Sequence, residues 1–150
     1  MIPLRLVIDP NILVSAALKP HGLQRTTMLL AITPPARLYV SETILEEYRD
    51  LMARPELKIR EGLRQQLLQL IKNRAHLISS FPSLQLAKDP DDDKSLECAD
   101  AARADYLVTG NQRHFPKFWK QTKVITSREF ISIAATHLVK EGSGGGISTL

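Results

Sequence analysis

Short apolar runs alternate with longer amphipathic stretches along this chain, and that alternation predicts its elements. Residues 4–8, Leu4-Arg5-Leu6-Val7-Ile8, form an apolar run with one charge, the pattern of a buried strand. A short helix is expected at 11–18, ended by Lys19-Pro20-His21-Gly22, and a second at 23–32, closed by Thr33-Pro34-Pro35. Residues 37–40 read as strand two, and Ser41 is a good N-cap for a helix over 42–53. Arg54-Pro55 interrupts that pattern. A helix over 61–74 follows, with Leu63, Leu67, Leu70 and Ile71 on one face. A weak strand is expected at 76–79, a helix at 90–104, and strands at 105–109 and 123–126. Ser127 is expected to cap a last helix over 128–139.

Strands alternating with helices imply parallel strands joined by crossover helices. The expected fold is therefore an α/β/α three-layer sandwich around a central parallel five-stranded sheet. Neither a repeat nor a linker divides residues 1–139, which read as one domain. Residues 140–150 are rich in Gly and Ser and read as a flexible tail.

Composition changes this picture little. At 150 residues, with 43% hydrophobic and 24% charged content, the chain has the size and make-up of one globular domain. A lone cysteine, Cys98, excludes an internal disulfide, and no apolar run approaches the ~20 residues of a membrane span. Together with a start that lacks signal-peptide character, this makes the cytoplasm the expected location. Twenty Lys and Arg against 16 Asp and Glu give a net charge of +4. That excess suits a polyanionic partner, and equally a plain soluble surface.

Against this basic background the acids gather oddly. Asp9 closes the first apolar run, and Lys88-Asp89-Pro90-Asp91-Asp92-Asp93-Lys94 opens a small-residue helix far downstream. In α/β sheets, functional groups collect at the carboxyl ends of the strands, where Asp9, Ser41 and Thr109-Gly110-Asn111 fall. Helical angles sort the other candidates. Around Ile44, Leu45, Tyr48, Leu51 and Met52, Glu46 points into water, whereas Glu47 lies at the edge of the core-facing side. Around Ser95, Leu96, Cys98, Ala99 and Ala102, Asp92 lies near the buried side and Asp93 on the opposite surface. Asp9, Glu47 and Asp92 thus come from three elements to the edges of one cleft. Three bare carboxylates there would repel, and Mg²⁺ or Mn²⁺ would relieve that repulsion, because hard divalent ions choose carboxylate oxygens. Each acid also has a plainer reading. Asp9 before Pro10 and Asp89 before Pro90 both suit helix N-caps, and Glu47 alone suits a helix surface.

Four motifs in order carry a family resemblance: Val7-Ile8-Asp9-Pro10-Asn11, Ser41-Glu42-Thr43-Ile44-Leu45-Glu46-Glu47-Tyr48, Asp89-Pro90-Asp91-Asp92-Asp93-Lys94, and Leu107-Val108-Thr109-Gly110-Asn111 with His114-Phe115. Over nearly the whole chain they resemble the PIN-domain family, in particular toxin components of prokaryotic toxin–antitoxin systems, the VapC-like ribonucleases. The resemblance implies a Mg²⁺- or Mn²⁺-dependent endoribonuclease that leaves 5′-phosphate and 3′-hydroxyl ends. It further implies an antitoxin protein partner and a homodimer. Asp9, Glu47 and Asp92 match the family's first three acids, as catalytic and metal-binding residues. Asn111 stands where a fourth acid is usual, which weakens a second metal, since an amide oxygen brings no charge. Asn11, Thr109, Asn111 and Asp93 are secondary candidates.

Other side chains carry plainer expectations. His114 reads as a turn histidine, Phe118 and Trp119 as a partly buried cover, and Cys98 as a core residue. Lys19, His21, Gln24 and Arg25 read equally as phosphate contacts or as a solvated loop. The rival function is a PIN-like module that binds RNA or protein after losing catalysis. A phosphatase or receiver domain is disfavoured, because strand one lacks Asp-x-Asp and no phosphate-cradling glycine loop is present.

Overall fold

A computed structural model describes residues 4–79 and 90–141, with side chains for 4–79 and 94–137. Strands β1 (Leu4–Ile8), β2 (Ala36–Val40), β3 (His76–Leu77), β4 (Tyr106–Val108), β5 (Phe118–Trp119) and β6 (Thr122–Ile125) form one sheet. The order across it is β3-β2-β1-β4-β6-β5. Helices α1 (Pro10–Leu18), α2 (Leu23–Ala31), α3 (Glu42–Met52), α4 (Glu61–Arg74), α5 (Pro90–Ala102) and α6 (Ser127–Glu141) connect and follow the strands.

Five of the six strands run parallel, as the alternation predicts, and β5 adds an antiparallel edge paired with β6. The five-stranded expectation missed β5 because it is two residues long. Its turn, Lys120-Gln121, also lacks the glycine or asparagine that marks such hairpins; Lys120 itself takes the positive φ, 54°. The chain steps in one direction from β1 through β2 to β3, then crosses back to β4. Right-handed crossovers therefore place α5 on the opposite face from the earlier helices. α5 packs on β1, β2 and β4, while α2 packs on α1, β2 and α6. The result is the three-layer α/β/α arrangement.

The central strands are buried on both faces: Leu6, Val7, Ile8, Leu38, Val40, Leu107, Val108 and Ile125 all lie in the core. Each such aliphatic side chain contributes about 1.5–3 kcal/mol when fully removed from water. α4 packs more loosely. Only Ile71 is fully buried on it, and Leu68, rather than Leu70, joins Leu63 and Leu67 against the core.

Helix ends follow local chemistry. Ser41 caps α3 as expected, its Oγ accepting from the Ile44 amide at 3.2 Å. The cap of α6 is Thr126 rather than Ser127. The Glu129 amide donates to Thr126 Oγ1 at 3.2 Å, and Glu129 Oε1 accepts from the Thr126 amide at 3.1 Å. This is the reciprocal capping box that Thr126-Ser127-Arg128-Glu129 encodes. α6 runs to Glu141, and the remainder of the expected tail lies outside the described residues. None of the described helices is long and apolar enough to cross a membrane.

Candidate active site

The residue after β1 is Asp9. Its amide donates to the Val108 carbonyl at 2.9 Å, which continues the parallel pairing of β1 with β4 and brings Asp9 level with Thr109. At that register Thr109 Oγ1 donates to Asp9 Oδ2 at 2.8 Å, and the Asn111 amide donates to Thr109 Oγ1 at 3.0 Å. Asp9 is only 2% exposed and Thr109 wholly buried. Burial pushes the Asp9 carboxyl above its ordinary value. The Thr109 hydroxyl, the Asn11 amide and side chain, and the charge of His114 oppose that rise without cancelling it.

Asp9 stands at the N-cap position of α1, with Pro10 first in the helix; the Asn11 amide favours its charged form, but among the described residues the only side-chain hydrogen bond of full geometry is the one from Thr109. A helix cap alone does not account for an acid this deeply buried and turned to Thr109. A carboxylate this deep, turned to a hydroxyl and raised by desolvation, gains most from a cation brought against it.

The second acid arrives on α3. Glu46 is exposed and Glu47 buried, as the helical angles require. Tyr48, next along the helix, sends its hydroxyl to the Ile8 carbonyl at 2.7 Å. That bond ties the neighbour of Glu47 to the neighbour of Asp9, and so fixes α3 against the carboxyl end of β1. Burial holds the Tyr48 hydroxyl far above its ordinary pKa, so it serves as a permanent donor. Glu47 Oε2 pairs with Lys94 Nζ on α5 at 3.0 Å, a partly buried ion pair that links the second and third acidic segments.

The third expected acid, Asp92, lies in the first turn of α5, and its side chain, like that of Asp93, is outside the described residues. Among the described residues no three His, Cys, Asp or Glu side chains form a metal-binding group. Asp9 and Glu47 are hard oxygen donors from two elements locked together by Tyr48, and that donor set fits Mg²⁺ or Mn²⁺.

The sequence profile of the PIN domain matches residues 5–113, which contain Asp9, Glu47, Tyr48, Asp92, Lys94, Thr109 and Asn111. This chain belongs to the PIN-domain family. It also resembles an uncharacterised protein of Methanocaldococcus jannaschii, 26% identical over 142 residues, covering 87% of this chain and 91% of the relative. PIN domains are generally nucleases, and family membership supports a hydrolase of the nuclease class.

Other residues of this PIN domain divide sharply. Asn11 and Asn111 are both exposed at the rim of the Asp9 site, Asn111 acting through its backbone amide. His114 is exposed, yet its charge reaches Asp9. Arg25 is structural: its Nε donates to the Ala16 carbonyl at 2.9 Å and ties α2 to α1. Phe118 is 58% exposed, so of the expected aromatic cover only Trp119 is partly buried. Cys98 is a buried core residue whose thiol burial pushes up to about 12.

Lys94, Tyr48 and Glu97 were not assigned roles from sequence. Tyr48 reads as one more apolar-face residue, and its hydroxyl bond spans 40 positions. Glu97 is 7% exposed on α5, one turn beyond the acid run. The only local signal for Lys94 is a lysine directly after three aspartates.

Proposed function

We propose that this PIN domain is a Mg²⁺- or Mn²⁺-dependent endoribonuclease that acts in the cytoplasm as the toxin of a toxin–antitoxin pair. The observation that carries the catalytic reading is Asp9: a buried carboxylate at the carboxyl end of β1, held by the Thr109 hydroxyl. Asp9 and Glu47, with Asp92, would hold the ion. A bound divalent cation supplies charge neutralisation at the scissile phosphate and a more acidic water.

The protein's own groups do the positioning. Thr109 fixes the Asp9 carboxylate through its hydroxyl, and the Asn111 amide fixes Thr109 in turn. Tyr48, bound to the Ile8 carbonyl, would hold the adjoining Glu47 towards the end of β1. Asn11, Asn111 and His114 stand on the exposed rim, where hydrogen bonds can orient an RNA backbone. The excess of basic residues elsewhere draws a polyanion to the surface. The toxin role, the antitoxin partner and a homodimer rest on the motif resemblance.

One observation favours the alternative of a binding module with weakened catalysis. Lys94 already supplies Glu47 with a cation, and Asn111 leaves the fourth acid position uncharged. Cleavage decides between them. With Mn²⁺ present, the purified chain is expected to cut a fluorescent single-stranded RNA, and EDTA to stop it. RNA binding without cleavage at any Mn²⁺ or Mg²⁺ concentration supports the module instead. Co-expression with the product of a small adjacent gene, relieving growth arrest, tests the toxin role separately.

A further inference from the structure

At the amino end of the sheet, opposite Asp9, the loop before β2, the start of β2 and the junction of α4 with β3 surround a pocket of about 390 Å³. One wall is apolar and includes Pro34 and Pro35; the other carries Arg37, Asn73, Arg74 and His76. No acidic residue is among the lining groups. Arg37 and Arg74 are exposed, and among the described residues neither makes a side-chain hydrogen bond or ion pair. Arg74 also offsets the negative end of α4, but Arg37, on a strand, has no helix end to serve. The charge is reinforced from below. Arg37 pairs directly with Arg5 across the parallel β1–β2 register, so both side chains share one face of the sheet. Arg5 lies over the Tyr39 ring at 5.0 Å, and Tyr39 stacks against His76 at 5.3 Å. Like charges side by side repel unless an anion joins them.

We propose that this pocket is a binding site for a small phosphate-bearing molecule, a nucleotide or free phosphate, separate from the nuclease centre. Two guanidinium groups offer the paired donors that match phosphate oxygens, and His76 adds a third donor. Pro34 and Pro35 add apolar lining against which a base could rest. The pocket volume falls in the usual range for small-molecule sites, roughly 300–1,000 Å³. Three residues of β2, Leu38 to Val40, lie between Arg37 and the carboxyl edge, roughly 10 Å, so occupancy at one end does not require occupancy at the other.

Isothermal titration of the full chain with AMP and with inorganic phosphate tests the site, using the double variant Arg37→Ala/Arg74→Ala and, separately, Asp9→Asn. The expected result is saturable binding to wild type and to Asp9→Asn, weakened at least tenfold in the double variant with its circular dichroism unchanged. AMP binding more tightly than phosphate assigns the pocket to a nucleotide; equal binding assigns it to the phosphate alone. Several results would overturn the proposal: absence of binding by either ligand, binding that survives the double variant, binding lost in Asp9→Asn, or binding only by longer RNA. Because Asp9→Asn disables the nuclease centre alone, failure of this pocket and failure of the nuclease reading register in different variants.

Discussion

Two strand-to-helix junctions at the carboxyl edge of the sheet each carry an acid, and the two acids are used in opposite ways. After β6, Glu129 closes a capping box with Thr126, remains exposed, and is held below its ordinary pKa chiefly by the Thr126 amide. After β1, Asp9 occupies the cap position with only weak help from the Asn11 amide; it is buried, turned to Thr109, and held above its ordinary value by that burial. A carboxylate that stabilises a helix sits where water and amides favour its charge. Asp9 sits where its charge is costly, and strongly desolvated acids of this kind gather at functional sites. The contrast separates a structural acid from a functional one without reference to any relative.

Thr109→Val probes the functional junction at near-constant volume. It should lower cleavage about 10- to 100-fold, the usual effect of removing a group that orients a metal ligand. Wild-type turnover in that variant would mean that Asp9 needs no hydroxyl to be positioned. Tyr48→Phe should leave the Ile8 carbonyl unpaired and destabilise the fold by about 1–3 kcal/mol in urea titration. Unchanged stability would show that α3 is fixed by its apolar face alone. At the structural junction, Thr126→Ala should cost about 1 kcal/mol and leave cleavage intact. A large loss of activity there would erase the distinction between the two acids.

The smallest effects have opposite signs. The raised pKa of Asp9 means that the folded state holds this proton more tightly than the unfolded chain. Metal-free stability therefore falls as pH rises from the unfolded value through the folded one, and Asp9→Asn removes that fall. The variant should melt higher than wild type at neutral pH in EDTA. Glu129, with its lowered pKa, contributes stability above its unfolded value that is lost as pH drops through the folded one. Glu129→Gln should flatten that acid limb slightly. Thermal melts across pH 3–8 compare the two, and slopes of the same sign would contradict the assignment.

Local signals in the sequence were good guides wherever a single segment decides the outcome. Pro and Gly punctuation ended α1 and α2 within a residue of the expected positions, Ser41 capped α3, and the helical angle chose Glu47 over Glu46. The cap of α6 was also legible, because Glu129 stands three residues after Thr126, not Ser127. Two-residue β5 carried no alternation to read. What the sequence could not express were the contacts between elements: Thr109 reaches Asp9 across 100 positions, and Lys94 reaches Glu47 across 47. The basic pocket has the same origin. Its basic side chains come from β2, α4 and β3, and only parallel pairing brings them to one end.

The most direct measurement is single-turnover cleavage of a fluorescent single-stranded RNA in Mn²⁺ by wild-type protein and by Asp9→Asn, each shown to be folded by its melting curve. The account predicts that the variant melts no lower than wild type and shows no detectable cleavage. A folded Asp9→Asn protein that cuts at the wild-type rate would contradict it.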